Sequence, residues 1–144
     1  MELISIPNQT VPYGQAVQLT ARKPCNKGYV IHREGSGIMT LRGIVNSPCN
    51  TFARYQITCN TNIAIPEGGT IGEISIGIAI SGEADGASIA VFTPAAVSTY
   101  GNVTSTTQID VPRGCCFNVS IENTSSTQGS IDMKNTNVVI DRIG

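Results

Sequence analysis

The sequence predicts an all-β protein, an antiparallel β-sandwich folded as a single domain over residues 1–144. Three observations predict it: period-two alternation in several segments, turn chemistry between them, and a composition poor in charge. A strand sends successive side chains to opposite faces, so a half-buried strand alternates apolar with polar residues. No window carries helical periodicity with a cap. The best candidate, Pro94-Ala95-Ala96-Val97-Ser98, is too short for more than one turn of helix.

Along the chain, Gly35-Ser36-Gly37 separates predicted strands at 29–34 and 38–45. The longest alternation follows: Tyr55, Ile57, Cys59, Thr61, Ile63 and Ile65 on one face, Arg54, Gln56, Thr58, Asn60 and Asn62 on the other. Pro66-Glu67-Gly68-Gly69 ends that strand. The next, at 74–81, places Ile74, Ile76, Ile78 and Ile80 on one face and the small residues Ser75, Gly77 and Ala79 on the other. Asp85-Gly86 is a hairpin signal leading into 87–93. Pro112-Arg113-Gly114 stands between 104–111 and 115–122, proline setting φ and glycine supplying a positive φ. In the latter segment Phe117, Val119 and Ile121 alternate with Asn118, Ser120 and Glu122, and a last strand runs over 137–143. About eight to ten short strands at this spacing are what a sandwich or barrel requires.

Charged residues are 13% of the chain, about half the usual share, so Ser, Thr, Asn, Gln and Gly must supply the polar surface. That is the composition of strand-and-turn proteins and of surfaces that pack against other subunits. The nine basic residues form no extended cluster and there is no tryptophan, which argues against a nucleic-acid interface. Met1-Glu2-Leu3-Ile4 has neither the basic start nor the long apolar run of a signal peptide, and no apolar stretch has the length of a membrane span. The expected location is therefore the cytoplasm, unless the protein leaves by lysis or as part of a particle. Five cysteines (Cys25, Cys49, Cys59, Cys115, Cys116) form no Cys-x-x-Cys, and the single His32 has no cysteine near it, so no metal site is expected and free thiols are.

The terminal strand Asn137-Val138-Val139-Ile140-Asp141-Arg142-Ile143-Gly144 resembles that of jelly rolls in the TNF/C1q-like superfamily, whose bacterial and phage members often close on Arg-Ile. The segments Ile63-Ala64-Ile65-Pro66, Pro94-Ala95-Ala96-Val97 and Val111-Pro112-Arg113-Gly114-Cys115-Cys116 are similar to small phage and prophage proteins of gut Firmicutes. The resemblance implies an antiparallel jelly roll that assembles as a homotrimer around a three-fold axis. It also implies a virion-surface role as capsid decoration, head fibre or receptor-binding knob, with capsid proteins or a host-surface glycan or protein as partner. The chain lacks the membrane anchor of the animal cytokines and the collagen stalk of C1q-type proteins, which argues against receptor signalling.

Interface candidates are Cys116, the small-residue face Ser75, Gly77 and Ala79, and the strand arginines Arg33, Arg42 and Arg54. Parity along 115–122 assigns Cys115 to the core beside Phe117 and turns Cys116 outward. The small face serves equally an inner strand crowded by its own domain. Loops at 23–27, 46–50, 83–87 and 98–102 would carry specificity, with Glu83, Asp85, Tyr100 and Asn102 as candidate binding residues. Glu83 and Asp85 flank one turn but supply too few oxygens for a calcium loop. His32 and Glu34 share a strand face, yet no nucleophile motif accompanies them, and a single histidine cannot build a cupin-type metal centre. The expectation is a non-enzymatic structural or adhesive protein with no cofactor. The alternative is a lectin-like carbohydrate-binding jelly roll.

Overall fold

The computed structural model describes residues 2–19, 21–22, 30–32, 36–43, 52–125 and 129–143. The strands in chain order are β1 (Glu2–Ser5), β2 (Gln9–Val11), β3 (Ala21–Arg22), β4 (Val30–His32), β5 (Met39–Arg42) and β6 (Phe52–Ala64). They continue as β7 (Ile74–Ile80), β8 (Glu83–Ala84), β9 (Ala90–Phe92), β10 (Gly101–Pro112), β11 (Cys116–Asn123) and β12 (Ile131–Arg142), with a 3₁₀ turn at Gly86–Ser88.

Two antiparallel sheets face each other. The first runs β10-β6-β12-β1-β3, with β2 also on β12; the second runs β4-β5-β11-β7-β8, with β9 also on β7. Among the described strands the chain changes sheet from β3 to β4, from β5 to β6, from β6 to β7, from β9 to β10, from β10 to β11 and from β11 to β12, the winding of a jelly roll.

The core forms where the two apolar faces meet. From the first sheet come Leu3, Tyr55, Ile57, Ile63, Met133, Val138 and Ile140; from the second, Met39, Leu41, Ile74, Ile76, Ile78, Val119 and Ile121. Each buried isoleucine contributes about 1.5–3 kcal/mol over its exposed state. Tyr55 is fully buried, and its hydroxyl donates to the Arg42 carbonyl at 2.5 Å, tying β6 to β5 across the layer. The alternation read from Tyr55 onward matches the burial of β6 residue by residue as far as Ile63.

The structure corrects several local expectations. The hairpin after β7 turns on Ser81-Gly82, not on Asp85-Gly86: Ile80 pairs with Glu83, and both turn residues have positive φ (54° and 85°). That is the backbone of a two-residue hairpin loop whose twist suits the flanking strands. Asp85 instead caps the 3₁₀ turn, its carboxylate accepting from the Ala87 amide. Cys115 belongs to the turn before β11 and is exposed, so strand parity does not carry it into the core. The final strand starts at Ile131, ahead of the 137–143 expected, and contains a bulge between Lys134 and Asn137. Asn135 takes φ 50° there, its amide donating to the Ile6 carbonyl. On either side of this bulge β12 changes partner, from β2 at 131–133 to β1 at 136–139.

Candidate functional site

Three surfaces follow from this framework: the outer face of the first sheet, the exposed end around Cys115-Cys116, and a cavity on the outer face of the second sheet.

The outer face of the first sheet carries the polar half of the β6 alternation together with its partners on β10. Register pairs Arg54 with Asp110, Gln56 with Gln108, Thr58 with Thr106, Asn60 with Thr104 and Asn62 with Asn102. The side chains bond across the strands: Thr58 and Thr106 hydroxyls lie 2.8 Å apart, and Asn102 Nδ2 donates to the Oδ1 atoms of Asn60 (2.6 Å) and Asn62 (3.2 Å). Between its ends this β6–β10 strip is uncharged, while Glu2 stands on the same face of β1 and accepts from Asn137 Nδ2 at 2.5 Å. At one end Arg54 Nε donates to Asp110 Oδ1 at 2.8 Å, and its guanidinium lies 5.2 Å from the Phe52 ring centroid. This pair raises the Arg54 pKa and holds the Asp110 carboxyl below its ordinary value, chiefly through the hydrogen bond. At the other end Lys134 Nζ sits 4.0 Å over the Tyr100 ring. Tyr100 therefore has one ring face taken, and burial, followed by the charge of Asp132, pushes its phenol pKa up.

Ser75, Gly77 and Ala79 are buried by the chain itself. Ser75 bonds to Thr124 Oγ1 (2.7 Å), its amide donates to Ser125 Oγ (2.7 Å), and a Cβ on Gly77 would meet Ile89 and Thr124 at 3.3 Å. The small face accommodates the chain's own excursion over β7 and presents no open surface. Arg42 is exposed and pairs in register with Cys116, which is exposed too. Arg33, Glu34, Cys25, Cys49 and the loops 23–27 and 46–50 lie outside the described residues. Glu83 is exposed; both Asp85 oxygens serve locally, Oδ1 on Ala87 and Oδ2 accepting from the Thr107 hydroxyl (3.1 Å). Among the described residues no three His, Cys, Asp or Glu side chains gather as metal ligands.

A feature that sequence reasoning missed lies on β11. Its first half, from Cys116 to Val119, pairs with β5, but β5 begins at Met39. Beyond that point a different segment takes the neighbouring position: Ala16 bridges Glu122, and the Val17 amide donates to the Ile121 carbonyl at 2.9 Å. Between Ile38, Ala16 and the Ser81-Gly82 turn opens a cavity of about 320 Å³, floored by Asn118, Val119, Ser120 and Glu122. Burial pushes the Glu122 carboxyl pKa up, and a hydrogen bond from Ser120 works the other way. Thr40 Oγ1 donates to Asn118 Oδ1 at 2.9 Å. The only sequence signal was the outward triad Asn118, Ser120 and Glu122; the walls come from three distant parts of the chain.

No protein-family model matches the sequence, and no curated protein matches it. Among solved structures, the globular domain of zebrafish complement 1qA protein is similar over 96% of this chain and 93% of its own, at TM-score 0.59 and 11% identity. The C-terminal domain of EclA, a sugar-binding protein, aligns over 88% and 77% at TM-score 0.40 and 17% identity. CBM35 from Cellvibrio japonicus Abf62 aligns over 96% and 99% at TM-score 0.33 and 12% identity. Two antiparallel sheets wound in this way, together with the likeness to the complement domain, establish an antiparallel jelly-roll sandwich of the C1q-like kind.

Proposed function

We propose that this chain is a non-catalytic jelly-roll module that self-associates as a homotrimer through the outer face of the β10-β6-β12-β1 sheet. One observation carries the reading: between its charged ends the β6–β10 part of that face is uncharged, and Thr58, Thr106, Asn60, Asn62 and Asn102 are already bonded to one another across the strands. Removing water from paired neutral groups costs far less than removing it from charges. A closed symmetric assembly buries such a face without exposing new edges. The role follows the resemblance in the terminal strand: a structural or adhesive element on a phage or prophage virion, with loops presented to a partner.

The test is native mass by light scattering after size exclusion, with and without reductant. The expected species has three times the chain's 15.1 kDa and keeps that mass in reductant. Thr106→Arg, which sets a charge in the middle of the face, is expected to yield a folded monomer. A wild-type monomer overturns the assembly reading. An oligomer that dissociates on reduction moves the joint to the exposed thiols of Cys115 and Cys116. For the carbohydrate-binding alternative, Tyr100 offers a single ring face, since Lys134 lies over the other.

A further inference from the structure

The cavity on the second sheet has the chemistry of a small-ligand site on the sheet opposite the proposed assembly face. We propose that the cavity lined by Glu122, Ser120, Asn118, Ser81 and Ile38 binds one unit of a neutral polyhydroxyl ligand, a single sugar residue either free or terminal on a glycan. The site is independent of trimer formation, and its test is read separately.

Geometry comes first. A cavity of about 320 Å³ lies at the lower end of the roughly 300–1,000 Å³ that ligand pockets span, the size for one ring and not for an oligosaccharide. It is rooted in the fold at the point where β11 exchanges one neighbour for another. Gly37 holds that junction closed below: a Cβ there would lie 2.6 Å from the Val17 carbonyl oxygen. The floor is regular β-strand and one wall is a two-residue turn, so the site stands on rigid elements.

Composition selects the ligand class. The Glu122 carboxylate is an acceptor, forms no salt bridge among the described residues, and is partly withdrawn from water. With Thr40 donating to Asn118 Oδ1, the Asn118 Nδ2 donor has no protein acceptor among the described residues. The Ser81 hydroxyl both donates and accepts, while the Ser120 hydroxyl, its proton turned to Glu122, offers its oxygen as an acceptor. A lining that mixes donors and acceptors suits vicinal hydroxyls, which both give and take hydrogen bonds. An ammonium would leave the Asn118 Nδ2 donor without an acceptor, and an anion would meet the carboxylate. Ile38, 53% exposed at the rim, and Ala16 supply the apolar contact that the C–H face of a sugar ring needs.

The experiment is an amide-resolved NMR titration of the full chain with D-glucose, D-galactose and N-acetyl-D-glucosamine up to ~50 mM, a range in which a millimolar site saturates. At least one sugar is expected to give saturable shifts confined to Ala16, Ile38, Ser81, Gly82 and the 118–122 segment. Glu122→Gln, which exchanges one acceptor oxygen for a donor, and Asn118→Ala are each expected to weaken binding about tenfold, in line with the loss of one or two hydrogen bonds. Unchanged spectra elsewhere show that both variants fold, and an unchanged native mass shows that assembly is unaffected. Absence of saturable shifts with all three sugars overturns the proposal. So do shifts that survive both substitutions, and so does saturation by ethanolamine where the sugars give none.

Discussion

Gly37 lies against Val17 so closely that a Cβ would stand 2.6 Å from the Val17 carbonyl oxygen and 3.0 Å from the Ala16 Cβ. Two segments far apart in sequence, the approach to β5 and the stretch after β2, converge there to share the edge of β11. Leu19 adds to the same junction, its amide donating to the Ser36 carbonyl at 3.2 Å. Gly37→Ala must push backbone atoms apart, and overpacking of this kind costs about 1–3 kcal/mol. Gly86 has open space where its Cβ would be, so Gly86→Ala is expected within about 0.5 kcal/mol of wild type. Urea midpoints of the two variants measure the contrast, and equal midpoints would show that the convergence yields freely.

Asn123 is fully buried at the end of β11 and satisfies three backbone groups. Its Nδ2 donates to the Val11 carbonyl (2.8 Å) and the Gly129 carbonyl (2.6 Å), and its Oδ1 accepts from the Ser125 amide (2.8 Å). Truncation leaves those groups dry and unpaired, at about 1–3 kcal/mol for each that finds no water. Asn123→Ala is expected to lower stability by about 3 kcal/mol, read from chemical denaturation. A loss under ~0.5 kcal/mol would mean that water or a new partner enters.

Cysteine reactivity divides by burial. Cys59 sits in the core with its thiol pKa pushed up to about 12 by desolvation, so at pH 8 it holds almost no thiolate. Cys115 and Cys116 are exposed. Iodoacetamide followed by peptide mass mapping is expected to label Cys115 and Cys116 in the native protein and Cys59 only after unfolding. Labelling of native Cys59 at a comparable rate would contradict its burial.

The Arg54–Asp110 pair makes stability depend on pH in one direction. The folded carboxyl titrates below its ordinary value, so the unfolded chain takes up the proton first as pH falls. The contribution is present above the unfolded pKa, near pH 4, and is lost as pH drops through the folded value. Both side chains are well exposed, at 43% and 46%, which keeps the effect small and sensitive to salt. Asp110→Asn is expected to differ from wild type at pH 7 in low salt, with the gap closing below about pH 4 and on adding salt. A gap that widens in acid would assign the difference to something other than the ion pair.

The sequence by itself determined the parts that depend on neighbours along the chain. Period-two alternation in β6 names the residues that point inward, because the pleat is a property of the strand alone. The same reasoning separates Phe117, Val119 and Ile121 from Asn118, Ser120 and Glu122, and the absence of capped helical periodicity identifies an all-β fold. Tertiary structure decided whatever depends on what lies opposite. Ser75, Gly77 and Ala79 form a small-residue face in sequence; only folding shows that residues 84, 89, 124 and 125 of the same chain cover it. Asp85-Gly86 and Ser81-Gly82 are both plausible turns in isolation, and the register of β7 against β8 selects the second. Cys115 fell outside the parity argument because the strand begins one residue later. The cavity at Glu122 was out of reach for the same physical reason: its floor is one strand, but its walls are set by non-local packing, and no local pattern encodes which distant segments meet there.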